Sequence, residues 1–83
     1  MRSKTAFITG ASRGIGSAIA ERLAKEGCRL AINGRNEERL RQKAEQIAEQ
    51  YHVVCVPFAG DIGDAGFVKD VMEEIDTRLG GVD

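Results

Sequence analysis

Two rhythms of apolar and polar positions alternate along this chain: short continuous apolar runs, and longer stretches with helical spacing. Residues 5–9 form a run centred on Ala6, Phe7 and Ile8, the pattern of a strand covered on both faces. Ile15, Ala18, Ile19, Leu23 and Ala24 then recur at helical spacing, opposite Glu21, Arg22, Lys25 and Glu26. That pattern predicts an amphipathic helix buried along the apolar stripe, and Gly27 is a natural stop. Leu30, Ala31 and Ile32 read as a second strand, closed by Asn33 and Gly34.

A second helix is expected over residues 37–50, with Leu40, Ala44, Ile47 and Ala48 as its stripe and Tyr51 continuing it. Asn36 suits the N-cap, and Glu37 and Glu38 suit the positive end of the helix dipole. Residues 53–58 are a β-branched, apolar third strand. Its Pro57 lacks an N–H and belongs at the strand's end or at a sheet edge. Asp64 can cap a third helix, striped by Val68, Val71, Met72, Ile75 and Leu79 and ended by Gly80 and Gly81.

The order β-α-β-α-β-α implies parallel strands, because a parallel pair needs a crossover and right-handed crossovers lay helices on the sheet faces. The expected fold is α/β: a three-stranded parallel sheet in the order 3-2-1 with flanking helices, in one unit over residues 1–83. The 83 residues allow a single domain near the lower limit of a self-sufficient core. Twelve Lys and Arg against thirteen Asp and Glu leave a net charge of -1, which is not the basic footprint of a nucleic-acid binder. Cys28 and Cys55 are too few for a disulfide framework and lack metal-ligand spacing. No apolar run approaches a signal-peptide core or a membrane span, so a cytoplasmic, reducing location is the expectation.

The chemistry concentrates in the turn after the first strand, Thr9-Gly10-Ala11-Ser12-Arg13-Gly14-Ile15-Gly16. A helix opening there presents unpaired N–H groups and partial positive charge, a setting for phosphate. Gly10 permits a sharp exit from the strand, Gly14 has no Cβ to hold a pyrophosphate away, and Gly16 allows the helix to pack closely on the sheet. Glycines can also serve purely as turn residues. The strand before, the helix after and two further β-α units favour dinucleotide binding.

The spacing Gly-x-x-x-Gly-x-Gly in residues 10–16 resembles the cofactor loop of the short-chain dehydrogenase/reductase family. The resemblance continues through Asn33, Gly34, Arg35 and Asn36 after the second strand and Asp61 and Ile62 after the third. It implies the first half of a Rossmann fold from a longer NAD(P)-dependent oxidoreductase, a family whose full-length members are usually homo-oligomers. By resemblance, the cofactor-binding positions are Gly10, Ser12, Arg13, Gly14, Ile15, Gly16, Asn33, Arg35, Asp61 and Ile62. Asp61 matches the aspartate that accepts from the adenine amino group; as a bare sequence feature it also suits a turn or cap.

A fold that prefers NAD places a carboxylate at the end of the second strand to accept the ribose 2′-OH. Here that end is Asn33-Gly34-Arg35, without one. A carboxylate repels a 2′-phosphate, whereas an arginine attracts it. By resemblance Gly34 takes the acidic position, and Arg35 and Arg13 match basic positions of NADP-preferring members. NADP is therefore the expected cofactor, ahead of NAD.

The family's catalytic motif is Tyr-x-x-x-Lys. The lone tyrosine, Tyr51, is followed four residues later by Cys55, so the motif fails, and no catalytic residue is expected in this chain. Tyr51 reads as packing at a helix end, His52 as a loop histidine, and Cys28 and Cys55 as small apolar groups. Glu37–Arg41 and Arg41–Glu45 stand at supportive helical spacing. Three functional readings remain open: the cofactor-binding part of an oxidoreductase, a stand-alone nucleotide-binding module, and a subunit completed by another chain.

Overall fold

A computed structural model describes residues 4–10 and 14–80. The elements follow in the expected order: β1 (Thr5–Ile8), α1 (Gly14–Lys25), β2 (Arg29–Gly34), α2 (Glu37–Tyr51), β3 (Cys55–Ala59) and α3 (Ala65–Leu79). The sheet order is β1-β2-β3 with both pairings parallel; Phe7 lies beside Ala31, and Ala31 beside Val56. This is half of a Rossmann fold. β3 starts two residues later than the apolar run, although the Val54 carbonyl still accepts from Leu30 N at 2.8 Å. Pro57 lies inside β3 and is tolerated there because β3 is at the edge of the described sheet.

Local chemistry sets the helix ends. The Asn36 side chain accepts from Arg39 N and that of Asp64 from Phe67 N, each N-cap contributing about 1 kcal/mol. Gly80 closes α3 with φ 80°, where glycine carries no Cβ penalty. α2 ends instead on His52, in the left-handed region at φ 56° and exposed.

β2 is central and its alternation divides the core in two. Leu30 and Ile32 face one side and pack with Ile8, with Ala20 and Ala24 of α1, and with Leu40, Ala44 and Ile47 of α2. Ala31 faces the other side, with Val56 and with Val71, Ile75 and Leu79 of α3. Helices thus cover both faces, which is why β2 reads as an unbroken apolar run. Cys28 is buried and Cys55 half-buried; both are free thiols, and burial pushes the Cys55 thiol up to about 11.

Two expected stripes need correction. In α1 the first half of the stripe faces out: Ile15 is 81% and Ile19 46% exposed, and Ala18 is exposed as well, while Leu23 and Ala24 pack on the core as expected. Ala20 and Ala24 are the buried pair. The reason is close approach at the helix start, where Gly16 lies against the Gly10 carbonyl. That contact directs the small-residue line Gly16–Ala20–Ala24 at the sheet, and Ile15 and Ile19 sit about 100° round the helix from it. In α3, Met72 is 42% exposed, while Val71, Ile75 and Leu79 are buried. Arg41 pairs with Glu38 at 2.9 Å and Glu45 at 3.1 Å, so Glu38 replaces the expected Glu37 as its partner.

Candidate functional site

Parallel strands bring their C-terminal ends to one side of the sheet, the side on which ligands of such folds bind. Here those ends lead into Gly10, Gly34 and Gly60. Gly10 and Gly14 take φ values of 61° and 65°, a region where a Cβ is strained. Among the described residues, nothing lies within 4 Å of where a Cβ on Gly14 would stand. A Cβ there would stand beside the opening of α1 in space that no described residue occupies. At Gly16 a Cβ would lie 2.7 Å from the Gly10 carbonyl carbon and 2.9 Å from the Thr9 oxygen, so the helix seats directly on the strand exit.

The exits of β2 and β3 are fastened together. Asn33 is buried, and its Nδ2 donates to the carbonyls of Phe58 at 2.8 Å and Gly60 at 3.2 Å. Gly60 N donates to the Gly34 carbonyl at 3.0 Å. Gly60 also lies against the Phe67 ring, where a Cβ would collide. Asn33 thus spends its amide nitrogen on the backbone and shapes the site from beneath. Its place at the end of a strand is legible in the sequence; its partners, 25 and 27 residues on, are not.

Arg35 and Asp61 stand on those fastened exits, and Arg35 Nη2 reaches Asp61 Oδ1 at 3.2 Å. The same carboxylate oxygen accepts from Gly63 N at 2.8 Å. The Gly63 N–H, and after it the Arg35 guanidinium, hold the Asp61 carboxyl below the usual carboxylate range. Both side chains are exposed, Arg35 by 80%. Sequence reading assigns these two residues separate ligand contacts; the structure joins them in an ion pair that nothing local in the sequence signals.

Ile15 is exposed at the first turn of α1, and Ile62 is exposed beside Asp61. Ser12 and Arg13 lie outside the described residues. Tyr51 is at the far end of α2, where its hydroxyl donates to Glu21 Oε1 at 3.4 Å. Glu21 also pairs with Lys43 at 2.8 Å and joins α1 to α2. A hollow of about 420 Å³ near Gly27, Tyr51 and His52 lies at the opposite end of the sheet from the glycine turn. Among the described residues no group of His, Cys, Asp and Glu could hold a metal ion, and no helix is long and apolar enough to cross a membrane.

Comparison with known proteins agrees with this geometry. The family model for short chain dehydrogenase matches residues 4–83. The chain is 41% identical over 80 residues to a probable 2,4-dienoyl-CoA reductase 3 of Caenorhabditis elegans, covering 96% of this chain and 26% of that protein. It is 36% identical over 83 residues to general stress protein 39 of Bacillus subtilis, covering 100% of this chain and 29% of that one. The structure of L-sorbose reductase from Gluconobacter frateurii complexed with NADPH and L-sorbose superposes with a TM-score of 0.92 at 39% identity, over 96% of this chain and 30% of that one. An alcohol dehydrogenase from the archaeon Thermococcus sibiricus complexed with 5-hydroxy-NADP gives 0.90 at 39% identity, over 96% and 34%. The chain therefore spans between 26% and 34% of the length of these relatives.

Proposed function

Since the chain belongs to the short chain dehydrogenase family, we propose that it is the dinucleotide-binding part of an NADP-dependent oxidoreductase that moves a hydride between the cofactor and a carbonyl or alcohol. The observation that carries the cofactor choice is the end of β2. The strand finishes on Gly34 with Arg35 beside it, and no carboxylate stands at that position to accept a ribose 2′-OH. NADPH and 5-hydroxy-NADP in the two structural relatives support the same choice.

A bound nicotinamide dinucleotide supplies the hydride. The residues of this chain bind and orient its adenosine half: Gly14 and Gly16 admit the pyrophosphate to the opening of α1, Arg35 meets the 2′-phosphate, and Asp61 and Ile62 border the adenine. Ser12, Arg13 and Ile15 complete the loop, with Asn33 holding the floor. Nothing in the chain supplies Tyr-x-x-x-Lys, since Tyr51 is followed by Cys55 at the fourth place. The roles assigned to this chain are therefore those of cofactor binding and not of proton transfer to a substrate. The free thiols of Cys28 and Cys55 fit a reducing, cytoplasmic setting.

Calorimetric titration of the chain with NADPH and NADH tests this reading. Tighter binding of NADPH is expected. Equal affinity, or no binding of either, overturns the cofactor assignment.

A further inference from the structure

We infer that Asp61 is a specificity-determining residue that competes with a 2′-phosphate for the Arg35 guanidinium, and so sets how strongly the site prefers 2′-phosphorylated adenosine to its 2′-hydroxyl counterpart. The inference rests on the reading of Arg35 as the phosphate contact.

The Asp61 side of the ion pair is anchored. Its Oδ1 accepts from Gly63 N at 2.8 Å, and its carbonyl accepts from Asp64 N at 3.0 Å. The segment that carries it is tied to β2 by Asn33 and by the Gly60 N–H on the Gly34 carbonyl. The two backbones are thus held in register, and Asp61 does not retreat from the mouth. The Arg35 side chain is the long, solvent-exposed partner, 80% accessible.

A 2′-phosphate and Asp61 therefore draw on one guanidinium. The contact to Asp61 runs from Nη2 to an oxygen already shared with the Gly63 N–H. Such a contact holds an arginine less firmly than a two-pronged carboxylate or phosphate fork. A dianionic phosphate takes the arginine over, but its gain is reduced twice: by the pair it breaks, and by repulsion from the carboxylate that stays behind. Asp61 keeps its charge across the neutral range, because Gly63 N–H and Arg35 both favour the ionised form. Both effects weaken discrimination, so removing the charge strengthens it. A carboxylate acting as a strut that pre-orients Arg35 has the opposite sign.

The test is calorimetry on the full 83-residue chain with adenosine 2′,5′-bisphosphate and 5′-AMP, which differ only in the 2′-phosphate. Contacts to adenine are common to both probes and cancel in the ratio of affinities. Asp61→Asn keeps an oxygen for the Gly63 N–H and is expected to raise the preference for the bisphosphate roughly two- to fivefold, the range for losing an exposed charge pair. Arg35→Gln is expected to lower the ratio at least severalfold. If Arg35→Gln does so while Asp61→Asn leaves the ratio unchanged or lowers it, the competition is refuted and the role of Arg35 stands. If the unmutated chain shows no preference and Arg35→Gln changes nothing, both readings fall. A readout without mutation uses the Asp61 carboxyl followed by NMR. Its pKa should be higher with the bisphosphate bound, which draws Arg35 away, than with 5′-AMP bound; equal values with the two probes refute the competition.

Discussion

Asn33 Nδ2 lies 2.8 Å from the Phe58 carbonyl oxygen and 3.2 Å from that of Gly60. One buried amide thereby closes the exits of two neighbouring strands, and everything proposed for the mouth of the site stands on that closure. Arg35 follows it on one strand and Asp61 on the other, and their separation is set by the backbone beneath them.

Replacing Asn33 by leucine leaves both carbonyls without their donor in a largely buried position. A loss of about 1–3 kcal/mol is expected, read as a lower urea midpoint with an unchanged slope. A midpoint equal to that of the unmutated chain would show that water satisfies the two carbonyls equally well.

Gly16 and Gly14 should fail for different reasons. At Gly16→Ala the new methyl meets the Gly10 backbone, so α1 must shift away from the strand exit at about 1–3 kcal/mol. At Gly14→Ala the space is open but φ is 65°, and the cost is about 1–2 kcal/mol of left-handed strain. Thermal melts read both losses. Only Gly14→Ala introduces a Cβ into the phosphate cradle, so it should weaken nucleotide binding even at temperatures where it is fully folded.

Arg35→Asp replaces an attraction for the 2′-phosphate with a repulsion and supplies the acceptor that a ribose 2′-OH prefers. NADPH binding should fall at least tenfold, with NADH binding retained or improved, because a charge-assisted hydrogen bond contributes about 1.5–3 kcal/mol. Parallel losses for both cofactors in one titration series would remove Arg35 from the phosphate site.

Glu21 gives the fold an acid-sensitive link. Its hydrogen bond with Lys43 holds the carboxyl below its ordinary value of 4.5, against an opposing effect of burial. A carboxyl lowered in the folded state stabilises fully above its unfolded pKa, and that contribution disappears as pH falls through the folded value. Urea unfolding at a series of pH values should therefore show Glu21→Gln less stable by on the order of 1 kcal/mol at neutral pH. The difference should close once the pH drops well below 4.5. A gap that persists unchanged at pH 3 would assign the loss to packing.

Element order, helix caps and glycine placement were readable along the chain because each is decided by neighbours within a few residues. Asn36 and Asp64 cap the helices that follow them, and the β-α alternation leaves parallel pairing as the solution. The inward face of α1 was not readable in that way. Hydrophobicity nominates Leu23 and Ala24 correctly but also Ile15 and Ile19, whereas contact between Gly16 and the Gly10 backbone turns Ala20 rather than the isoleucines to the sheet. The partners of Asn33, and the pairing of Arg35 with Asp61, likewise emerged only on folding. They join residues far apart in the chain, and such contacts depend on where the sheet register leaves the strand ends, a quantity that no local pattern of residues encodes.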